Sequence, residues 1–133
     1  SDVLASTVDL SSTVLDRAGL TPYHGMQGKS LMPCMDGVSD LRDDLLVEYN
    51  DGLPRMGFES PARVRTIVTR RHRMSVYGGQ AWGELYDTMA DPQNLNNLWD
   101  SPDHTEIKAE LLERLAHLLI KQMDDSPRAK RVA

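Results

Sequence analysis

The stretch from Val64 to Tyr77 constrains the fold most. Val64 to Thr69 and Arg73 to Tyr77 are two short runs rich in β-formers, joined by only Arg70-Arg71-His72. Runs this close cannot lie parallel, because a parallel pair needs a crossover of a dozen residues or more. An antiparallel hairpin is therefore predicted, with Val64, Val68, Met74 and Val76 sharing its inner face. Leu45 to Tyr49, ended by the turn signal Asn50-Asp51-Gly52, and Trp82 to Tyr86, set off by Gly78-Gly79, supply the neighbouring strands. Three or four antiparallel strands are expected.

A sheet of this size needs a cover, and the end of the chain provides one. Ser101 is placed to cap a helix, Pro102 to open it, and Ile107, Leu111, Leu115, Leu118 and Leu119 recur on one face until about Met123. Asp124 to Pro127 stops it, and the basic end, 124–133, is expected to fray. Before the sheet, Asp9 is read as the N-cap of a helix that carries Leu10, Val14, Leu15 and Ala18 on one stripe and ends at Gly19. A loop from Tyr23 to Lys29 follows. Ser30 then caps a short helix through Met32 and Met35, stopped by Asp36-Gly37. The fold class is α+β: a small antiparallel sheet packed against a long C-terminal helix, with two short N-terminal helices.

The 133 residues fit a single domain, 1–133, able to build a core without staples. The one cysteine, Cys34, cannot form an internal disulfide or a thiolate zinc site. It leaves a cytoplasmic and a periplasmic home equally open. No apolar run reaches the ~18 residues of a membrane span, and a net charge of −5 argues against a nucleic-acid partner. The start Ser1-Asp2-Val3 is what a processed or truncated product would show.

Chemistry-bearing motifs are sparse. His24, His72, His104 and His117 lack zinc-like spacing, no Gly-x-Ser-x-Gly elbow occurs, and Gly25 to Ser30 falls short of a phosphate loop. Asp91, Asn94, Asn96 and Asn97 lack the alternation and glycine of a calcium loop and fit Asx turns better. Neither a catalytic residue nor a metal ligand is identified. Five of the fifteen cations, Arg63, Arg65, Arg70, Arg71 and Arg73, cluster around the hairpin. They are expected chiefly to pair with nearby carboxylates.

Four blocks, in order, carry a resemblance. Val8 to Leu20 resembles the helix "V-D-L-x-P-T-L-L-D-L-A-G" of sulfatases, with Ser12 where proline is usual. Gly28 to Pro33 with Asp36-Gly37 resembles the family's "G-x-S-L-x-P-x-L-x-G". Val64-Arg65-Thr66 and Arg73 to Tyr77 are similar to its "V-R-T-x-x-y-K-y-I" hairpin, with Arg73 for the commoner lysine. Glu84 to Asp87, Asp91-Pro92 and Asn97-Leu98 resemble "E-L-Y-D-L-x-x-D-P-x-E-x-x-N-L". Together they cover nearly the whole chain.

The resemblance implies the C-terminal portion of a sulfatase-like hydrolase of the alkaline phosphatase superfamily. In that family a cysteine of Cys-x-Pro-x-Arg becomes formylglycine, and a calcium or similar divalent ion assists it. Cys34, followed by Met35-Asp36-Gly37-Val38, is not that motif, so no cofactor and no catalytic residue is assigned to these residues. The partner implied is the catalytic N-terminal domain. Residues 1–20 would pack on it, and the sheet and long helix would brace it. The loop with His24 and Lys29, and the turn of Arg70, Arg71 and His72, are the substrate-rim candidates. Made alone, the chain is expected to be inactive, and to dimerise or swap through the exposed stripe of its first helix. A phosphate or phosphonate ester hydrolase as parent, and a stand-alone polyanion-binding module, are the alternatives.

Overall fold

The computed structural model describes residues 3–55 and 57–123. The tail expected to fray, 124–133, lies outside them. The chain divides into two compact units, residues 1–42 with 121–133, and residues 43–120.

In the first unit, α1 spans Val8–Arg17 and α2 spans Met32–Met35. Gly19 takes φ +70°, and the amides of Gly19 and Leu20 donate to the carbonyls of Asp16 and Leu15 at 2.9 Å each. This is the left-handed glycine stop expected there. The start differs. Thr7 holds the N-cap position, and Asp9 lies inside the first turn, where its Oδ2 accepts the Ser6 amide at 2.7 Å. A carboxylate just inside a helix start satisfies a preceding amide while sitting in the positive end of the helix field. The buried face of α1 is polar, Asp9 and Ser12, while Leu10 and Val14 are 58% and 67% exposed.

The second unit is a four-stranded antiparallel meander in the order β1 (Asp44–Asn50), β2 (Arg63–Thr69), β3 (His72–Tyr77), β4 (Gly83–Asp87). Its register sets Leu46, Ile67, Met74 and Leu85 in one row across all four strands. A short 3₁₀ turn, Pro102–His104, leads into α3, Thr105–Lys121. Leu111 and Leu115 of α3 complete the core with Ile67, Met74 and Leu85, and Ile107, Leu118 and Leu119 pack around them. The predicted helix face is the one that is buried.

The predicted strand face is half wrong. Met74 and Val76 face the core, but Val64 and Val68 lie on the opposite side, and Ile67 takes the inner place. Setting Val68 beside Met74 requires the three-residue turn Arg70 to His72. In the structure His72 already belongs to β3, so the turn has two residues and Val68 pairs with Arg73. A slip of one residue moves a whole strand's side chains to the other face.

The open edge of β4 is closed by Asn97. Its Oδ1 accepts the amides of Leu85 and Trp99 at 2.9 and 3.0 Å, and its Nδ2 donates to the Gly83 carbonyl at 3.0 Å. The Leu98 amide adds a bond of 2.8 Å to the Leu85 carbonyl. A single amide side chain thus replaces part of a missing fifth strand.

Candidate functional site

Each unit holds one pair of the rim candidates or more. In the first, the loop with His24 and Lys29 leaves α1 and returns along it, with Gly25 at φ +94°. His24 is exposed. Lys29 is part of the framework: its amide donates to Asp9 Oδ1 at 2.8 Å, and its ammonium donates to the Leu41 carbonyl at 2.8 Å. Arg42 Nη2 reaches the same Asp9 oxygen at 2.6 Å. Burial alone would raise the Asp9 pKa. The bonds from Arg42, the Lys29 amide and the Ser6 amide outweigh it and hold the carboxyl below its ordinary value. Ser12 Oγ donates to the Gly28 carbonyl at 2.9 Å, and Thr13 Oγ1 accepts the Leu31 amide at 2.9 Å. The first two blocks of the sequence pattern are therefore bolted together by side-chain-to-backbone bonds.

In the second unit, Arg70 and Arg71 form the β2–β3 turn, and His72 starts β3. Thr69 Oγ1 accepts the amides of Arg71 and His72, at 3.3 and 2.9 Å. Arg71 is 63% exposed, and its Nε and Nη2 donate to Asp87 Oδ2 at 3.0 and 2.8 Å. The other Asp87 oxygen accepts the amides of Met89 and Ala90 at 3.1 Å each. His72 is half-buried on the same sheet face as Met74, and burial, its largest influence, lowers its pKa. The turn therefore displays the Arg71 guanidinium tethered to Asp87, next in sequence to a half-buried histidine whose pKa burial lowers. Arg65 lies 2.8 Å from Glu48 and Arg73 lies 3.8 Å from Glu84, in the carboxylate pairing expected of the arginines.

The bonds from Arg71, and then from the Ala90 and Met89 amides, lower the Asp87 pKa from 3.8 to about 2. A depressed carboxyl stabilises the fold above its unfolded value and loses that contribution as pH falls through the folded one. The loss is expected between about pH 4 and pH 2. Urea midpoints measured across this window should fall steeply for the wild type and flatten in Asp87→Asn. An equal slope in the variant would remove Asp87 from the acid response.

Among the described residues, no three His, Cys, Asp or Glu side chains converge to hold a metal. Cys34 is half-buried in α2. No described helix is long and apolar enough to cross a membrane.

Comparison with known proteins decides the family. Residues 1–121 match the family described as N-sulphoglucosamine sulphohydrolase, C-terminal. The chain belongs to this family. As a sulphohydrolase C-terminal domain it is 25% identical, over 134 residues, to an N-acetylglucosamine-6-O-sulfatase of Bacteroides thetaiotaomicron, covering 98% of this chain and 24% of that protein. A protein solved in complex with its substrate, D-glucosamine-2-N,6-O-disulfate, superposes with a TM-score of 0.72 at 26% identity, over 92% of this chain and 25% of that one. A phosphonate monoester hydrolase from Silicibacter pomeroyi shares the fold, with a TM-score of 0.79 at 21% identity, over 93% of this chain and 26% of that one. The chain thus spans about a quarter of the length of the relatives it matches.

Within the sulphohydrolase C-terminal domain, the sequence alone did not disclose the polar partners. Asp9 and Asp87 each sit in a recognisable block, and Asp9 also precedes an apolar stripe, but neither signal names a partner. Arg42 gives none, because its partner lies 33 positions away.

Proposed function

We propose that this chain serves as the non-catalytic C-terminal domain of a hydrolase acting on sulfated glucosamine. The family match over residues 1–121 carries this reading. It is supported by the glucosamine-derived substrates named for the 6-O-sulfatase and for the substrate complex. The phosphonate hydrolase likeness extends to the fold alone, so it does not displace sulfate as the transferred group.

Formylglycine and a calcium-type ion would supply the nucleophile and the neutralising charge of such an enzyme. The residues here do not fit either group: Cys34 lacks the Pro and Arg of the modification motif, and no three described metal-ligating side chains converge. Both belong to the catalytic part of a longer protein. The exposed Leu10 and Val14 of α1 form the face that packs on that part. Prepared as residues 1–133, the chain should self-associate through this stripe, and sedimentation of a Leu10→Asp variant should shift toward the monomer. Monomeric wild type at high concentration would refute the docking face.

The loop of His24 and Lys29, and the turn of Arg70, Arg71 and His72, are placed at the substrate rim in this proposal. Arg71 would bind an anionic group on a neighbouring sugar, remote from the reacting sulfate. In the full-length enzyme, Arg71→Ala is expected to lower kcat/KM on a sulfated disaccharide about tenfold, as for loss of one charge-assisted contact. An aryl sulfate with no anionic group besides the reacting sulfate should be unaffected. Equal values on both would discard the assignment. Sulfate release from 6-O-sulfated N-acetylglucosamine by the full-length enzyme tests the proposal as a whole. Release of phosphate but not sulfate from matched esters would overturn it.

A further inference from the structure

The β3–β4 turn and the segment before β2 enclose an open recess of about 450 Å³, lined by Gly57, Phe58, Glu59, Ser60, Gln80 and Trp82. This volume lies within the range of small-molecule sites. Phe58 and Trp82 form its aromatic side, and the ring of Tyr77 packs against both. The Tyr77 and Trp82 centroids are 4.4 Å apart, and each lies 6.1 Å from the Phe58 centroid, with interplanar angles of 12° to 36°. Trp82 remains 46% exposed. Tyr77 lies at the far end of β3 from His72, so the recess and the Arg71 turn sit at opposite ends of the strand, about 17 Å apart at the usual rise per residue.

The chemistry of the lining selects its ligand. The three rings are closer to parallel than perpendicular, so they make a layered platform. A cage for a quaternary ammonium needs ring faces on several sides of the cation. A flat platform suits a sugar ring, which can lay its C–H face on an aromatic side chain and turn its hydroxyls outward. Glu59, Ser60 and Gln80 provide a carboxylate, a hydroxyl and an amide in the same lining. Among the described residues no lysine or arginine lines the recess, and Glu59 would repel a sulfate there.

We propose that this recess binds an unsulfated pyranose ring of a saccharide chain, at a site separate from the Arg71 turn. Trp82 supplies the stacking surface, and Glu59 and Gln80 accept and donate hydrogen bonds to ring hydroxyls. Tyr77 supports the platform from below: burial first, and then the charge and hydrogen bond of Glu84, raise its pKa and keep its hydroxyl protonated. The inference rests on the reading of the whole protein as a saccharide hydrolase, and it adds a place that holds a part of the chain carrying no sulfate.

The test is calorimetric titration of the full-length enzyme with an unsulfated β-1,4-linked N-acetylglucosamine tetramer. Binding is expected for the wild type, weakened at least tenfold in Trp82→Ala and several-fold in Glu59→Gln and Gln80→Ala. Glu59 and Gln80 are exposed, so their variants keep the test valid should Trp82→Ala misfold. A fully 6-O-sulfated tetramer should bind the recess more weakly, and Glu59→Gln should narrow that difference. Equal tetramer affinity in wild type and all three variants would overturn the proposal. So would tetramethylammonium binding that the variants abolish while leaving tetramer binding intact. Resistance of Trp82 to acrylamide quenching, judged against Trp82→Phe, would show the recess covered by the rest of the protein and would overturn it too. Sulfate release is scored separately: its absence sinks the proposed hydrolase, whereas loss of tetramer binding with sulfate release intact sinks only the recess.

Discussion

Replacing Gly28 with alanine is expected to destabilise the first unit by about 3 kcal/mol, toward the upper end of what single substitutions do. A methyl group at this position would lie 2.2 Å from the Val8 carbonyl oxygen, 2.7 Å from its carbon and 2.9 Å from Ser12 Oγ. Two of those three atoms are backbone at the start of α1, so no rotamer change relieves the contact. The loop has to lift from the helix. Lifting it stretches the bond from Ser12 to the Gly28 carbonyl, and with it the bonds of the Lys29 amide to Asp9 and of the Leu31 amide to Thr13. Asp9 is fully buried, so losing even one donor leaves part of a charge poorly solvated. Ser12→Ala removes only one of these bonds and should cost about 1 kcal/mol. Amide hydrogen exchange at Lys29 and Leu31 checks both: fast exchange in Gly28→Ala and moderate acceleration in Ser12→Ala are expected. Protection in Gly28→Ala matching the wild type would mean the loop tolerates the methyl group, contrary to the geometry.

Gly28 also marks how far the sequence could be read. In the linear chain it is one more loop glycine, and only the approach of Val8, twenty positions earlier, gives it a task. The same holds for Asp9. Its position before an apolar stripe suits an N-cap, but its acceptors are shared among Ser6, Lys29 and Arg42, two of them remote in sequence. Periodicity was a sounder guide. On α3 most apolar residues gather on one face, with Leu112 and Ile120 left exposed, so Leu111 and Leu115 were readily placed inside. On β2 both faces are apolar, with Val64 and Val68 against Ile67, and alternation cannot choose between them. The choice fell to the length of a turn, read as three residues where two suffice. Of the rim candidates, the sequence located the turn but not its chemistry: Asp87 neutralises Arg71 from a strand that the turn does not belong to.

Gly83→Ala should act with comparable force on the second unit. Here the obstacle is packing across a sheet. The added methyl would sit 2.6 Å from Trp99 Cζ3 and 2.7 Å from the Ser75 carbonyl oxygen. Gly83 opens β4 and pairs with Val76, so the Ser75 carbonyl is fixed by the β3–β4 ladder and cannot withdraw without breaking it. Trp99 has little more freedom. Its amide is held by Asn97, the Lys108 ammonium lies 4.7 Å over its ring and donates to its carbonyl at 2.6 Å, and the ring packs against the core. Overpacking a site walled on two sides costs about 3 kcal/mol, the upper end for such changes. For a unit of this size that corresponds to a fall in Tm of about 10 °C or more. Near-UV circular dichroism reports the ring directly, because a displaced Trp99 loses its asymmetric surroundings. A second substitution, Trp99→Leu, supplies the control. If the ring is the main obstacle, Gly83→Ala in the Trp99→Leu background should cost less than in the wild type, a coupling readable from a double-mutant cycle. Strict additivity would shift the blame wholly to the Ser75 carbonyl, and an unchanged Tm in the single variant would show that β4 can retreat from both.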